Sequence, residues 1–260
     1  MNTNSTYTIG KEHIVCEDYA LSDRFLTTGY AVVCDGCSAS PEVDFGARAI
    51  AMSAKRMIRW GETVNDAKEF GESVIRNAKR VFDVFPYLHT QALDATLLVA
   101  MVNDKKLTAY MYGDGVLVHR SKTGITTVHI ALTSGAPDYL AYHLDPLRKN
   151  AYDAIEDNKK QVASTINGKT IQVDIKPLEP YVLNCEVAEG DVVAVISDGI
   201  NSFRKSDSTP IPYSDLIEEF TGFKTFEGEF VLRRISAFKR KCLKEGITHS
   251  DDISIAAIHV

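Results

Sequence analysis

Short apolar runs that stop at small polar turns punctuate the chain. Residues 29–34 form one such run, closed by Asp35-Gly36, and residues 191–197 form another, closed by Asp198-Gly199. Their length and flanking turn residues predict buried strands. Between them the period changes. Val43, Ala47, Ile50, Ala51, Ala54, Met57 and Ile58 recur at helical spacing, with Ser40 and Pro41 placed as N-cap and first-turn proline and Gly61 at the expected stop. Phe70, Val74, Ile75, Ala78, Val81, Phe82 and Phe85 predict a second helix running on towards Pro86, weakened by Gly71.

The middle of the chain alternates. Residues 95–102 and 107–112 read as a hairpin around a polar turn at 103–105, and 116–119 with 125–130 extend it into an antiparallel meander. Residues 131–160 carry a poor signal and read as irregular or peripheral, with one short helical stretch about 139–147. Asn167-Gly168, between 161–166 and 170–175, is a strong hairpin turn. Helices are expected over 213–220 and 227–244, and a last strand over 253–260. Strands, two helices, a run of strands, two helices and a final strand predict an α+β fold with antiparallel sheet. No repeat or linker divides the chain, so residues 1–260 are expected to form a single domain.

Composition narrows the function. The 260 residues carry 29 Lys+Arg against 35 Asp+Glu, a net charge of -6, which disfavours a nucleic-acid binder. The longest apolar runs fall far short of the roughly 20 residues of a membrane helix. The N-terminus shows neither a basic nor an apolar leader region, so a cytoplasmic location is expected. Five scattered cysteines, Cys16, Cys34, Cys37, Cys185 and Cys242, read as reduced thiols.

The candidate chemistry lies in aspartates at strand ends. Asp35, Asp114 and Asp198 each precede a glycine, and Asp251-Asp252 opens the last strand. A single Asp-Gly is ordinary turn chemistry. Several at the ends of buried strands can meet on one rim, where they repel unless cations neutralise them; oxygen-only ligands favour Mg²⁺ or Mn²⁺.

The ordered set Glu17-Asp18, Asp35-Gly36, Gly113-Asp114, Ser197-Asp198-Gly199 and Asp251-Asp252-Ile253-Ser254 resembles the metal-dependent protein phosphatases, the type 2C or PPM family, over about the whole chain. Glu189-Gly190-Asp191-Val192 and Thr96 with its two leucines also look like that family. The opening around Gly10, His13, Cys16, Glu17 and Asp18 is most similar to a bacterial branch.

The resemblance implies a four-layer α-β-β-α sandwich with two central antiparallel sheets and a possible flap about 201–226. It implies a serine/threonine protein phosphatase that uses two or three Mn²⁺ or Mg²⁺ ions and a metal-activated water on phosphoprotein substrates, without nucleic acid or membrane as partner. Asp35 would bridge two ions and Gly36 would offer its carbonyl. Asp198 and Asp251 would hold the other ion, and Asp18, beside Glu17, would act mainly through bound waters. Asp114 would share a third ion with Asp198. Asp35 and Asp198 are thus the expected catalytic residues. His13 is the expected substrate contact, standing where most members carry an arginine that forks onto phosphate, a bidentate contact histidine cannot make. The alternative is a weak or inactive pseudophosphatase serving as a regulatory binding module.

Other readings carry less. Cys34 and Cys37 lack a second Cys/His pair at zinc spacing. Residues 163–170 approach a phosphate-binding loop, but Ala163 replaces its first glycine and the flanks read as a hairpin. Arg233, Arg234, Lys239, Arg240, Lys241 and Lys244 read as a solvated helix face. His249 stands close enough in sequence to Asp251 to support it, or to be an ordinary loop residue.

Overall fold

A computed structural model describes residues 1–61, 65–85 and 87–260. In chain order the elements are β1 (Asn2–Thr8), β2 (Tyr19–Phe25), β3 (Thr28–Cys34), α1 (Val43–Trp60), α2 (Ala67–Phe82), β4 (Leu97–Asn103), β5 (Lys106–Tyr112), β6 (Gly115–Ser121), β7 (Gly124–Leu132), α3 (Pro146–Asp153), β8 (Lys160–Ile166), β9 (Lys169–Ile175), β10 (Tyr181–Glu186), β11 (Val192–Ile196), β12 (Phe203–Arg204), α4 (Tyr213–Thr221), α5 (Phe230–Glu245), β13 (Thr248–His249) and β14 (Ile253–His259). One sheet has the order β1-β14-β11-β6-β7-β8-β9 and the other β10-β5-β4-β3-β2; β12 and β13 form a small ribbon.

Side-chain alternation sets the layers. Ala31 and Val33 of β3, Leu98 and Ala100 of β4, and Val193 and Val195 of β11 point between the sheets and meet Leu117, Ala256 and Ile258. The intervening residues Tyr30, Val32, Leu97 and Val99 face α1 and α2, while Ala194, Ile196, Ile255 and Ala257 face α4 and α5. The central strands are therefore buried on both faces, which is why they read as continuous apolar runs. The result is the α-β-β-α sandwich with two antiparallel sheets that the family resemblance implies.

Four expectations are corrected. The predicted meander is split: β4 and β5 belong to one sheet, β6 and β7 to the other. The chain crosses between them at Gly113 and Gly115, whose φ angles of 91° and 130° suit glycine and place Asp114 at the crossing. Ser40 does not cap α1. Its hydroxyl donates to Asp94 Oδ2 (2.9 Å), Pro41 stays outside the helix, and Glu42 occupies the cap position without a side-chain bond. The segment before β8 is not peripheral. A 3-10 turn over Leu140–Leu144 and helix α3 follow β7, and Tyr139, Leu140 and Ala141 pack into the core beside α2. Finally, β1, β2 and β10 were not expected as strands; β1 runs in full register with β14, from Asn2 opposite His259 to Thr8 opposite Ile253. Helix α2 ends at Phe82, and Pro86, towards which it was expected to run, lies outside the described residues.

Candidate metal centre

Strand register gathers the aspartates. Tyr19 pairs with Cys34, so Asp18 before β2 and Asp35 after β3 are brought to the same end of one sheet. In the other sheet Ile196 pairs with both Val116 and Ile255, so Asp198, Asp114 and Asp251 share an end as well. Leu97 opposite Tyr112 sets the crossing at Asp114 beside Thr96. The two sheets thus contribute five aspartates to one rim.

Local contacts fix this rim. Asp35 is held by its backbone: its N–H donates to Thr96 Oγ1 (3.1 Å) and its carbonyl accepts from the Thr96 N–H (2.8 Å). Gly36 bridges Ala95 and lies against the Glu17 carbonyl. Asp18 is buried, and its Oδ2 accepts from the Ser197 hydroxyl (2.7 Å), whose oxygen in turn accepts from the Ser254 N–H (2.9 Å). Gly199 has no room for a side chain, because a Cβ there would stand 1.8 Å from the Asp252 carbonyl oxygen. The Asp198 turn and the β14 approach are therefore locked together.

Electrostatics mark the same residues. Burial pushes the Asp18 carboxyl up to about 7, and burial with the Asp198 charge pushes Asp114 up to about 7. Asp35 is raised well above the usual carboxylate range by burial and by Asp18, Asp198 and Asp114, with Asp198 in hydrogen-bonding reach. Burial and Asp198 also raise Asp251. No Lys or Arg forms an ion pair with any of these five among the described residues. Asp18 Oδ1 is buried with no hydrogen-bond partner. A hard divalent cation fits such a set, since it would satisfy the orphaned oxygen and relieve the repulsion.

His13 is engaged by acids. Its Nδ1 lies 3.0 Å from Asp252 and 3.6 Å from Glu17, and its Nε2 lies 3.4 Å from Asp251. Burial opposes its protonation, but the hydrogen bond and charge of Asp252, helped by Asp251 and Glu17, raise its pKa overall. Asp252 also accepts from the Gly10 N–H (2.6 Å) and the Glu17 N–H (2.5 Å), tying the loop that carries His13 to the β14 approach. Glu17 in turn accepts from the Ser38 hydroxyl (2.6 Å). His13, Glu17 and Asp252 bring ligating atoms within 4.8 Å of one another, and no other such trio occurs among the described residues. The five rim aspartates are therefore not drawn around a single point.

Sequence reasoning passed over the bracing roles of Asp252 and Ser197. The Asp-Asp doublet and the Ser-Asp-Gly triplet were the available signals. It also passed over Tyr139, whose hydroxyl reaches Cys37 and is raised by burial, that bond and the nearby charges of Asp114 and Asp35. His249 accepts its supporting place: its Nδ1 lies 2.9 Å from the Asp251 carbonyl oxygen. The competing readings dissolve. All five cysteines are free, residues 163–170 lie in the β8–β9 hairpin, and Arg234 and Lys241 of α5 pair with Glu219. No helix among the described residues is long and apolar enough to cross a membrane.

Comparisons with known proteins bear on the fold and the family. No curated protein matches the chain. Among solved structures, the chain is similar to the S. agalactiae serine/threonine phosphatase (13% identity, 99% of this chain and 98% of that one, TM-score 0.54). It is also similar to the Mycobacterium tuberculosis serine/threonine phosphatase PstP/Ppp (15% identity, 98% and 96%, TM-score 0.52). RsbX, solved in complex with magnesium, matches with 13% identity over 98% and 92% of the chains, TM-score 0.52. At these identities the likeness is one of fold. The sequence pattern described as Protein phosphatase 2C matches residues 9–235. The chain belongs to the protein phosphatase 2C family, a family of metal-dependent phosphatases.

Proposed function

We propose that this protein hydrolyses phosphoserine and phosphothreonine in protein substrates with two or three Mn²⁺ or Mg²⁺ ions. The observation that carries the reading is the rim of five aspartates from both sheets, held in place by backbone and hydroxyl contacts yet without a Lys or Arg ion-pair partner among the described residues. Asp35, the Gly36 carbonyl, Asp198 and Asp251 would hold two ions; Asp114 with Asp198 would hold a third, and Asp18 would orient coordinated water. When bound, the ions supply Lewis-acid activation of water and neutralise charge on the phosphoryl oxygens. The protein's own part is positioning: Thr96 fixes the Asp35 backbone, Ser197 fixes Asp18, and the close Gly199–Asp252 approach keeps Asp198 and Asp251 on one rim.

A second reading, a weak or inactive phosphatase that serves as a regulatory binding module, is favoured by one observation. His13, the expected phosphate contact, faces Asp252, Asp251 and Glu17, which compete with phosphate for it. The test is hydrolysis of para-nitrophenyl phosphate and of a phosphothreonine peptide with Mn²⁺, with Mg²⁺ and with chelator. Metal-dependent turnover that falls by more than about a hundredfold in Asp198→Asn supports the enzyme. Metal binding without turnover supports the binding module.

A further inference from the structure

The helical pair that covers one sheet carries a feature the phosphatase reading does not use. A groove of about 790 Å³ runs between α1 and α2, and no acidic residue lines it among the described residues. Its apolar part is open to solvent: Met52, Val84 and Phe85 are 52%, 73% and 48% exposed. Phe85 packs edge-on against Phe45 (centroids 5.7 Å apart), so this part of the groove is built on a fixed aromatic floor.

Three arginines line the same groove. The Arg48 guanidinium lies over the rings of Tyr7 and Tyr19, 5.6 and 4.9 Å from their centroids, and that of Arg56 lies 4.0 Å over Trp60. Stacking of this kind fixes the plane of a guanidinium and leaves N–H edges available. Arg80 has a long 3.5 Å contact with the Asn77 amide oxygen. Elsewhere Arg76, Arg120, Arg148 and Arg234 each find a carboxylate, while Arg24, Arg59, Arg204, Arg233 and Arg240 have none among the described residues, so what sets the groove apart is three such arginines on one surface. Arg48, Arg56 and Arg80 pair with none among the described residues, in a chain where acids outnumber bases 35 to 29. Arg48 and Arg56 are eight positions apart on one helix, about 12 Å along its axis, which suits several spaced carboxylates better than one compact anion.

We propose that this groove docks an acidic amphipathic helix of a partner protein. Its apolar side chains, at helical spacing, would fill the floor around Met52, Val84 and Phe85, while flanking Asp and Glu side chains would reach the three guanidiniums. A concave site between two helices favours an inserted helix over a flat lipid surface. The proposal stands apart from the phosphatase reading, since none of the groove residues belongs to the acidic rim.

The test selects a random peptide display library on the purified full chain and on the double variant Arg56→Glu/Arg80→Glu, both checked for unchanged melting. The wild type is expected to enrich sequences in which Asp and Glu alternate with Leu, Ile or Phe at helical spacing, and the charge-reversed variant to lose them and favour Lys and Arg. An enriched peptide, measured by fluorescence anisotropy, should bind at least about tenfold more weakly to the double variant and to Val84→Asp. Failure to enrich acidic amphipathic sequences, or equal binding by wild type and both variants, overturns the proposal. So does binding to phosphatidylserine vesicles that depends on the same residues while the peptides do not bind.

Discussion

Asp94, Asp138, Asp191 and Asp252 are as buried as Asp18, yet their surroundings differ in kind. Asp138 pairs with Lys160, itself wholly buried, and accepts from the Leu178 N–H (2.8 Å). Asp94 accepts from Arg148 (2.6 Å) and from Ser40. Asp191 meets His119 Nε2 (2.8 Å) and the Ala188 N–H (2.9 Å), and Asp252 meets His13 and two backbone N–H groups. Asp94 and Asp138, like Asp18, leave one carboxylate oxygen unmatched, but their charge is balanced. At the rim, Asp18, Asp35 and Asp114 are buried among neighbours of their own sign with no ion-pair partner among the described residues, and their carboxyls are driven up accordingly. The fold supplies countercharge where an aspartate is structural. Where the carboxylates converge at the strand ends, it leaves the countercharge to come from outside.

Removing an internal countercharge should break this contrast most severely. Lys160→Met leaves Asp138 buried and uncompensated, and should cost about 3–5 kcal/mol in urea unfolding. The double variant Lys160→Met/Asp138→Leu should recover most of that loss, because an apolar pair replaces an ion pair. A single variant as stable as the wild type would show that Asp138 is not held as an ion.

The rim should respond to pH in the opposite sense from an ordinary salt-bridged carboxylate. Asp18 and Asp114 hold their protons to about 7 in the folded chain but release them near 4 when unfolded. The folded state therefore binds more protons between these values, and the metal-free protein should lose stability as pH rises through that window, by up to roughly 4 kcal/mol per group. Thermal melts in chelator should show a lower melting temperature at pH 7.5 than at pH 5. Added Mn²⁺ should raise it more at the higher pH, where the ion no longer competes with protons.

A smaller effect is expected at His13. With its pKa raised by Asp252, Asp251 and Glu17, its contribution is present below about 6.5 and fades as pH rises through the raised value. His13→Asn should cost no more than about 1 kcal/mol at pH 6, and less at pH 8. A larger loss at pH 8 than at pH 6 would mean that the ring is held neutral.

Much of the fold was legible because the central strands are buried on both faces and so print continuous apolar runs, as in 30–34 and 192–196. Strand β1 was not. Its residues Asn2–Thr8 are polar and only partly buried, and it is held by main-chain pairing with β14, which leaves no side-chain signature. The β10 edge strand alternates strictly between half-buried and exposed residues, but Val182 on its exposed side blurs that pattern in the sequence, and the split of the meander depends on Gly113 and Gly115, which sequence spacing alone does not distinguish from hairpin glycines. Asp35, Asp114 and Asp198 could be named because each forms an Asp-Gly pair at the end of a predicted strand, and Asp251 because it opens the last one, whereas Asp18 came only from the family resemblance. Their countercharges could not, since Lys160 opens a strand in a segment of poor periodicity and meets Asp138 only through the path of residues 133–159.

The most direct test of the uncompensated rim is isothermal titration of Mn²⁺ into the metal-free protein at pH 7.5, for the wild type and for Asp35→Asn. The wild type should bind more than one ion per chain with release of protons, and Asp35→Asn should lose binding and the accompanying rise in melting temperature. Equal binding by the two proteins, or none by the wild type, would contradict a metal centre at Asp35.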